Sequence, residues 1–395
     1  MFNLIRKLLA RSYHPLNTIE ISKKNLISNY RYLSSINPKI KIAPVLKSNS
    51  YGHGIVEVAK ILETKKPTFF CVDSLFEAYQ LQKANIKTPI LIMGYTNPEN
   101  LKVKELPFAY AVSDLKTLQA INLYQPKASV HLFVDTGMNR EGILLNQLPA
   151  FLTYLKRLPN IRVEGLMSHL ATAEDPKNPS NKEQINNFSH VQRIVRKAGF
   201  KPKWIHLFAT KSYMHQKSFS SKLHLKGVKL NMARIGIGLF GIDPLNRLNR
   251  PRRSQARGLR GLNLKPVLSL KTKIAEIKRI KKGSLIGYSG TYKTKNDLLI
   301  GILPIGYFDG VDRRLSNQGF VKIDRVFCPI IGIVSMNITT IDISDVPNPK
   351  IGQEVVVFSD NPNDLNSIQQ SAKLCKTIPY EILIHLTSST KRNIV

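Results

Sequence analysis

Cysteine is scarce in this chain: three residues in 395, Cys71, Cys328 and Cys375, lie far apart. Their number and spacing exclude a disulfide framework or a zinc site, and point to a reducing, cytoplasmic compartment. No bound metal is expected. No run of about 18 apolar residues occurs, which leaves no candidate for a membrane-spanning helix. Acidic residues are few as well, 26 Asp and Glu against 59 Lys and Arg, for a formal net charge of +33. Such an excess favours anionic partners. The basic residues are nevertheless spread along the chain among Ile and Asn, without aromatic interleaving or a nucleic-acid motif. A specific nucleic-acid partner is therefore not expected, whereas anionic small substrates are favoured.

The length leaves room for two domains, one of which could be a barrel of roughly 250 residues. Residues 1–17 begin MFNLIRKLLARSYH, with Met1, Leu4, Ile5, Leu8 and Leu9 at helical spacing and Arg6, Lys7 and Arg11 elsewhere. This basic amphipathic tail is readable as a dispensable extension or as a weak interfacial anchor touching a membrane peripherally. From residue 18, TIEIS, KIKIAPVL, TFFCV, PILIM, FAYAV, SVHLFV, IRVEGLM, KWIHL and ARIGIGLF read as strands. Between several of them KNLISNYRYLSSI, SLFEAYQLQKA, DLKTLQAINLY, LPAFLTYLKRL and NKEQINNFSHVQRIVRKAG have helical period. This α/β alternation predicts a parallel sheet closed as a (β/α)8 TIM-type barrel over 18–245. Lys47, Arg140, His169 and His206 follow or end predicted strands, where such a barrel carries its active face.

Residues 246–261 form an Arg-rich insertion or linker without an acid. Beyond it the character changes. VLSLKTKIAEIKRI, SLIGYSG, LLIGILP, FVKID, CPIIGIV, TTIDIS and EVVVF are short strand-like runs between turn residues, so 262–395 is expected to be a mainly-β domain ending in two helices, DLNSIQQSAKL and PYEILIHLTSS.

Chemistry is concentrated first in APVLKSNSYGHG, residues 43–54, where Lys47 sits between an apolar strand and a glycine-flanked turn. An amine there can condense with an aldehyde cofactor while the Tyr51 hydroxyl reaches a phosphate. A solvated strand-end lysine is the ordinary alternative. Further landmarks follow in order: VDTGMNREG at 134, GLMSHLATAED at 165, ARIGIGLFG at 233, GYSGTY at 287, GYFDG at 306 and PYEIL at 379. With them the chain resembles the alanine racemase family from about Thr18 to Arg392.

The resemblance implies pyridoxal 5'-phosphate held by Lys47, interconversion of L- and D-alanine, and D-alanine supply for peptidoglycan. Lys47 would also act as one base. Tyr288 matches the second base, which the family delivers from a partner subunit, so a homodimer with shared active sites is implied. Arg234 matches the arginine facing the pyridine nitrogen, supported by His169 and His206. Tyr51, Tyr380, Gly236 and Ile237 match phosphate contacts. Arg140, Tyr307 and Met336 match groups around the substrate carboxylate and entrance. Several positions depart from the pattern. Phe133 stands where many members carry a lysine that orients the arginine matching Arg140, and Glu141 stands where an apolar residue is usual. Ala209 and Thr210 replace an Asn-Ser pair, leaving Thr210 or Ser212 for the phosphate. Asn337 replaces an aspartate at the entrance, and Ser389 lies where an arginine is normal. These changes keep two alternatives open: a racemase of broader amino-acid specificity, and a racemase-like protein that binds the cofactor but turns over weakly.

Overall fold

The computed structural model describes residues 14–126, 128–214, 216, 228–243 and 264–395. Residues 1–13, most of the basic tail expected to be an amphipathic helix, and the Arg-rich stretch 246–261 lie outside the described residues. The chain divides into two compact units, Lys23–Pro266 and a second that joins Met1–Ser22 to Val267–Val395.

β1, Thr18–Ile21, precedes α1, Lys23–Ile36. Eight parallel strands then build the Lys23–Pro266 unit: β2 Lys41–Pro44, β3 Phe70–Val72, β4 Ile90–Ile92, β5 Ala109–Val112, β6 Ser129–Phe133, β7 Arg162–Met167, β8 Trp204–His206 and β9 Met232–Ile235. α2 Ile55–Glu63, α3 Leu75–Lys83, α4 Leu115–Tyr124, α5 Leu148–Leu155, α6 Pro179–Lys197 and α7 Thr210–Met214 lie along this stretch. β3 to β8 pair in sequence order, and β2 pairs with β9. Three further backbone bonds close the ring among the described residues: Leu46 N–H donates to Cys71 O at 2.8 Å, Asn231 N–H to Ile205 O at 3.1 Å and Arg234 N–H to Phe208 O at 2.9 Å. A closed barrel follows, as the alternation predicts.

Its strands are short and apolar because helices cover the outside and side chains fill the inside. β3, β4 and β6 are buried at every residue. Ala43, Val45, Phe69, Cys71, Leu91, Ala109 and Met232 pack as one interior cluster, small against large. Helix starts are set by residues just after the strands. Ser74 Oγ accepts Glu77 N–H at 3.3 Å, and Asp114 Oδ1 accepts Thr117 N–H at 2.8 Å. At the end of the unit, Asn29 of α1 donates to Leu239 O and Lys265 O at 2.9 and 2.7 Å and accepts Lys265 N–H at 2.8 Å.

The second unit is mainly β: β10 Leu268–Lys273, β11 Glu276–Ile280, β12 Leu285–Ile286, β13 Tyr292–Lys293, β14 Leu298–Leu303, β15 Phe320–Ile323, β16 Val326–Pro329, β17 Thr339–Asp342, β18 Glu354–Phe358 and β19 Lys391–Ile394, with α8 Ile368–Leu374 and α9 Pro379–Ile384. Its large sheet has the order β16-β15-β18-β10-β1-β19, beside a three-stranded sheet β11-β14-β17. One expectation is corrected here. β1 does not belong to a barrel over 18–245; it pairs antiparallel with β10 and parallel with β19. TIEI alternates, with Ile19 and Ile21 buried and Thr18 and Glu20 partly exposed, which suits a sheet with one wet face and not a barrel strand covered on both.

Candidate active site

Lys47 begins where β2 loses its partners. Val45 N–H still bonds Ile235 O and Leu46 N–H still bonds Cys71 O, so the lysine emerges at the C-terminal face of the barrel. Its Nζ lies 3.2 Å from Asp73 Oδ1, with both side chains about half exposed. The next four residues, Ser48 to Tyr51, all have φ between 53° and 55° and form one turn of left-handed backbone. None is glycine, and each costs about 1–2 kcal/mol against the right-handed form. The surroundings hold the turn in place. Asn49 Oδ1 accepts Ile55 N–H at 2.8 Å, and His53 Nδ1 donates to Ser50 O and Tyr51 O at 3.0 and 2.9 Å while its ring stacks on Phe240. Glu77 ties this turn to the neighbouring loop, accepting Asp73 N–H at 2.9 Å and Asn49 N–H at 3.3 Å.

The turn aims Tyr51 at β9's end. A Cβ built on Gly236 would stand 2.2 Å from the Tyr51 hydroxyl, so only glycine leaves room for the phenol. Thr210 completes this corner, its Oγ1 accepting Gly236 N–H at 3.2 Å. Ser212 does not reach it, because its hydroxyl bonds Ala209 N–H and Ala209 O at 2.9 and 3.1 Å. The backbone continues into a one-turn 3-10 helix, Ile237–Phe240. Hydroxyls and backbone donors of this kind suit an anion.

Arg234, on β9, is buried, and burial pulls its guanidinium down to about 10, still protonated at neutral pH. No carboxylate pairs with it among the described residues. Nη1 donates to His206 Nδ1 at 2.5 Å and His206 O at 3.1 Å; Nη2 donates to Ser168 O at 2.7 Å and His169 Nδ1 at 3.4 Å. Of five N–H donors, Nε–H is the one without an acceptor among the described residues. Burial, then the cations of Arg234, Arg140 and Lys47, push His169 down to about 3. Arg140 itself is exposed and pairs with Glu141, Nη2 to Oε2 at 3.2 Å. Phe133 is buried beside it and lines a cavity of about 550 Å³ with Asp135, Asn139 and Arg140.

The remaining expected residues lie in the mainly-β unit. Tyr288 stands on the turn between β12 and β13, flanked by Gly287, Ser289 and Gly290 at positive φ, and is 70% exposed. Tyr307 and Met336 occupy adjoining loops, Tyr307 N–H bonding Ser335 O at 3.0 Å and Phe308 N–H bonding Met336 O at 3.0 Å. Asn337 follows, exposed. Tyr380 opens α9 and burial pushes its phenol up to about 12.

Sequence reasoning missed Asp73, Glu77, His53 and His131. Two left a signal. Ser74 to Glu77 is a serine followed three residues later by a glutamate, the pattern of a capping box, and His131 interrupts the apolar run SVHLFV.

Comparison with known proteins agrees with this architecture. Residues 21–244 match the family model described as alanine racemase, N-terminal domain, and residues 267–394 match alanine racemase, C-terminal domain. The chain is 32% identical over 380 residues to the alanine racemase of Lactobacillus gasseri, covering 94% of each. Among solved structures it is similar to the alanine racemase of Clostridium difficile 630, at 30% identity, TM-score 0.85 and 97% of both chains. It is also similar to the Bacillus anthracis alanine racemase with bound L-Ala-P, at 28% identity and TM-score 0.84, covering 97% of this chain and 96% of that one.

Proposed function

The chain belongs to the alanine racemase family, and from that premise we propose that Lys47 and Tyr288 are its two bases and that the barrel mouth holds pyridoxal 5'-phosphate. The activity is that of a pyridoxal-phosphate-dependent isomerase interconverting L- and D-alanine, with D-alanine destined for the cell wall. The observation that carries the site assignment is the convergence of a strand-end amine, an anion corner and a buried cation on one barrel face.

The residues fit the cofactor. Tyr51, Thr210, Gly236 and Ile237 would hold its phosphate in the corner where a Cβ on Gly236 would collide with Tyr51. Arg234 would offer its Nε–H to the pyridine nitrogen. A guanidinium cannot give up its proton at neutral pH, so that nitrogen would accept a hydrogen bond and stay unprotonated. His169 and His206 keep the guanidinium in place. When bound, pyridoxal 5'-phosphate supplies the electron sink that lets the α-hydrogen of alanine leave as a proton.

Inversion then needs a proton acceptor on one face of Cα and a donor on the other. Lys47 Nζ would serve one face as the neutral amine, once it has given up its proton and left the ion pair with Asp73. Tyr288 serves the other from a second copy of the chain, a role supported by its exposure on a glycine-flanked turn. The active unit in this reading is a homodimer in a reducing compartment, in keeping with three buried free cysteines. Arg140 would receive the substrate carboxylate; Tyr307, Met336 and Asn337 lie in loops of the mainly-β unit that supplies Tyr288 and would act with it.

The test follows deuterium uptake at Cα from L- and D-alanine in heavy water for the wild type, Lys47→Ala and Tyr288→Phe. The wild type exchanges both enantiomers. Lys47→Ala loses activity, and Tyr288→Phe loses exchange selectively from one enantiomer. Full activity in Tyr288→Phe would overturn the two-base assignment.

A further inference from the structure

His131 sits in the middle of β6 with its side chain inside the barrel, fully buried. Its Nδ1 lies 2.8 Å from His206 Nε2. His206 in turn presents Nδ1 to Arg234 Nη1. The three side chains thus form one buried line, and the direction of every proton in it follows from the end that cannot vary. A guanidinium only donates, so His206 Nδ1 must be a bare acceptor. A neutral His206 then carries its proton on Nε2 and donates it to His131 Nδ1. His131 is left with its own proton on Nε2, which is buried and has no acceptor among the described residues. Reversing the line would set an N–H of His206 against an N–H of Arg234.

The imidazole of His131 is also held against rotation. It lies opposite Gly165 of β7, where a Cβ would stand 2.1 Å from Nδ1 and 2.3 Å from Cγ. Phe69 meets the ring edge-on at a centroid distance of 5.2 Å. Gly165 therefore admits the ring, and Phe69 limits its tilt.

We infer that His131 is a positioning residue for Arg234: by accepting the Nε2–H of His206, it fixes the tautomer that offers Nδ1 to the guanidinium. A hydrogen bond donated by one nitrogen of an imidazole strengthens the other nitrogen as an acceptor, so the line holds Arg234 more firmly than His206 alone. Its consequence for catalysis rests on the reading that Arg234 faces the cofactor ring. The placement of protons within the barrel does not.

The test uses the full-length chain with 15N-labelled histidine, without and with pyridoxal 5'-phosphate, comparing wild type, His131→Leu and His131→Asn. Nitrogen shifts in the wild type should show His206 and His131 neutral near pH 7.5, each protonated on Nε2 alone. His206 protonated on Nδ1, or charged, overturns the inference without any variant. In His131→Leu the His206 signals should move toward a mixture of tautomers, the cofactor's absorption band should shift, and cofactor affinity should fall about tenfold, the scale of one buried hydrogen bond. Asparagine offers an oxygen near the same place and should restore the His206 tautomer and most of the affinity. Leu and Asn variants equally destabilised, with the wild-type His206 tautomer in both, overturn it. A tautomer shift in His131→Leu with an unchanged cofactor band supports the line of bonds and refutes instead the assignment of Arg234 to the ring.

Discussion

Replacing Gly236 by alanine is the sharpest probe of the anion corner. The added methyl would stand 2.2 Å from the Tyr51 hydroxyl oxygen, 2.7 Å from Cζ and 3.0 Å from Cε2, where ordinary contact begins at 3.4 Å. The phenol must therefore retreat by about 1 Å or more, enough to break a hydrogen bond. It has little room to do so, since its backbone is fixed in the left-handed turn and its ring lies 5.5 Å from that of Phe240. A hydrogen bond to a charged phosphate contributes about 1.5–3 kcal/mol, so cofactor affinity should fall roughly ten- to a hundredfold. The assay is equilibrium titration of the full-length chain with pyridoxal 5'-phosphate, for Gly236→Ala, Tyr51→Phe and the double variant. Both single changes remove one and the same contact. Their losses should therefore not add, and the double variant should be within about threefold of the weaker single one. Affinity of Gly236→Ala within about twofold of wild type, or strictly additive losses, would refute the role given to Tyr51.

Acid should destabilise the native chain through its histidines. His131 and His169 are pushed down to about 3, and His206 well below its ordinary value, chiefly by burial and then by Arg234. Below the ordinary value near 6.5 the unfolded chain takes up these protons while the native one refuses them, so the stability present above about pH 6.5 is lost progressively toward pH 3. Each histidine contributes up to about 1.4 kcal/mol per pH unit in that window; a melting temperature unchanged from about pH 7.5 to about pH 5 would contradict this. Asn29→Leu should cost about 2–4 kcal/mol, because Leu239 O, Lys265 O and Lys265 N–H lose their partner in a buried place. Thermal unfolding would register it, and a loss below about 0.5 kcal/mol would show those groups satisfied otherwise.

Much of this molecule was legible in the chain, and the exceptions have physical causes. Strand runs such as TFFCV and SVHLFV announce a sheet covered on both faces, and the barrel is where they go. TIEIS carried the opposite signature, strict alternation, but its sheet partners lie near the far end of the chain, where no local pattern can reveal them. Lys47, Tyr51 and Arg234 were readable from motif; that Thr210, and not Ser212, faces Gly236 was not, because it depends on which hydroxyl the Ala209 backbone captures. Glu77 and His131 act through neighbours distant in sequence, so their partners had to be seen.

The sheet place of β1 has a consequence for synthesis. The strand is made roughly 250 residues before its antiparallel partner β10 and about 370 residues before its parallel partner β19. At about 5–20 residues per second, β1 waits on the order of ten seconds or more with two open edges. The barrel can form in that interval, but the sheet that includes β1 is completed only once β19 has been made. Removal of β19 would therefore leave one edge of a strand made about 370 residues earlier without its partner.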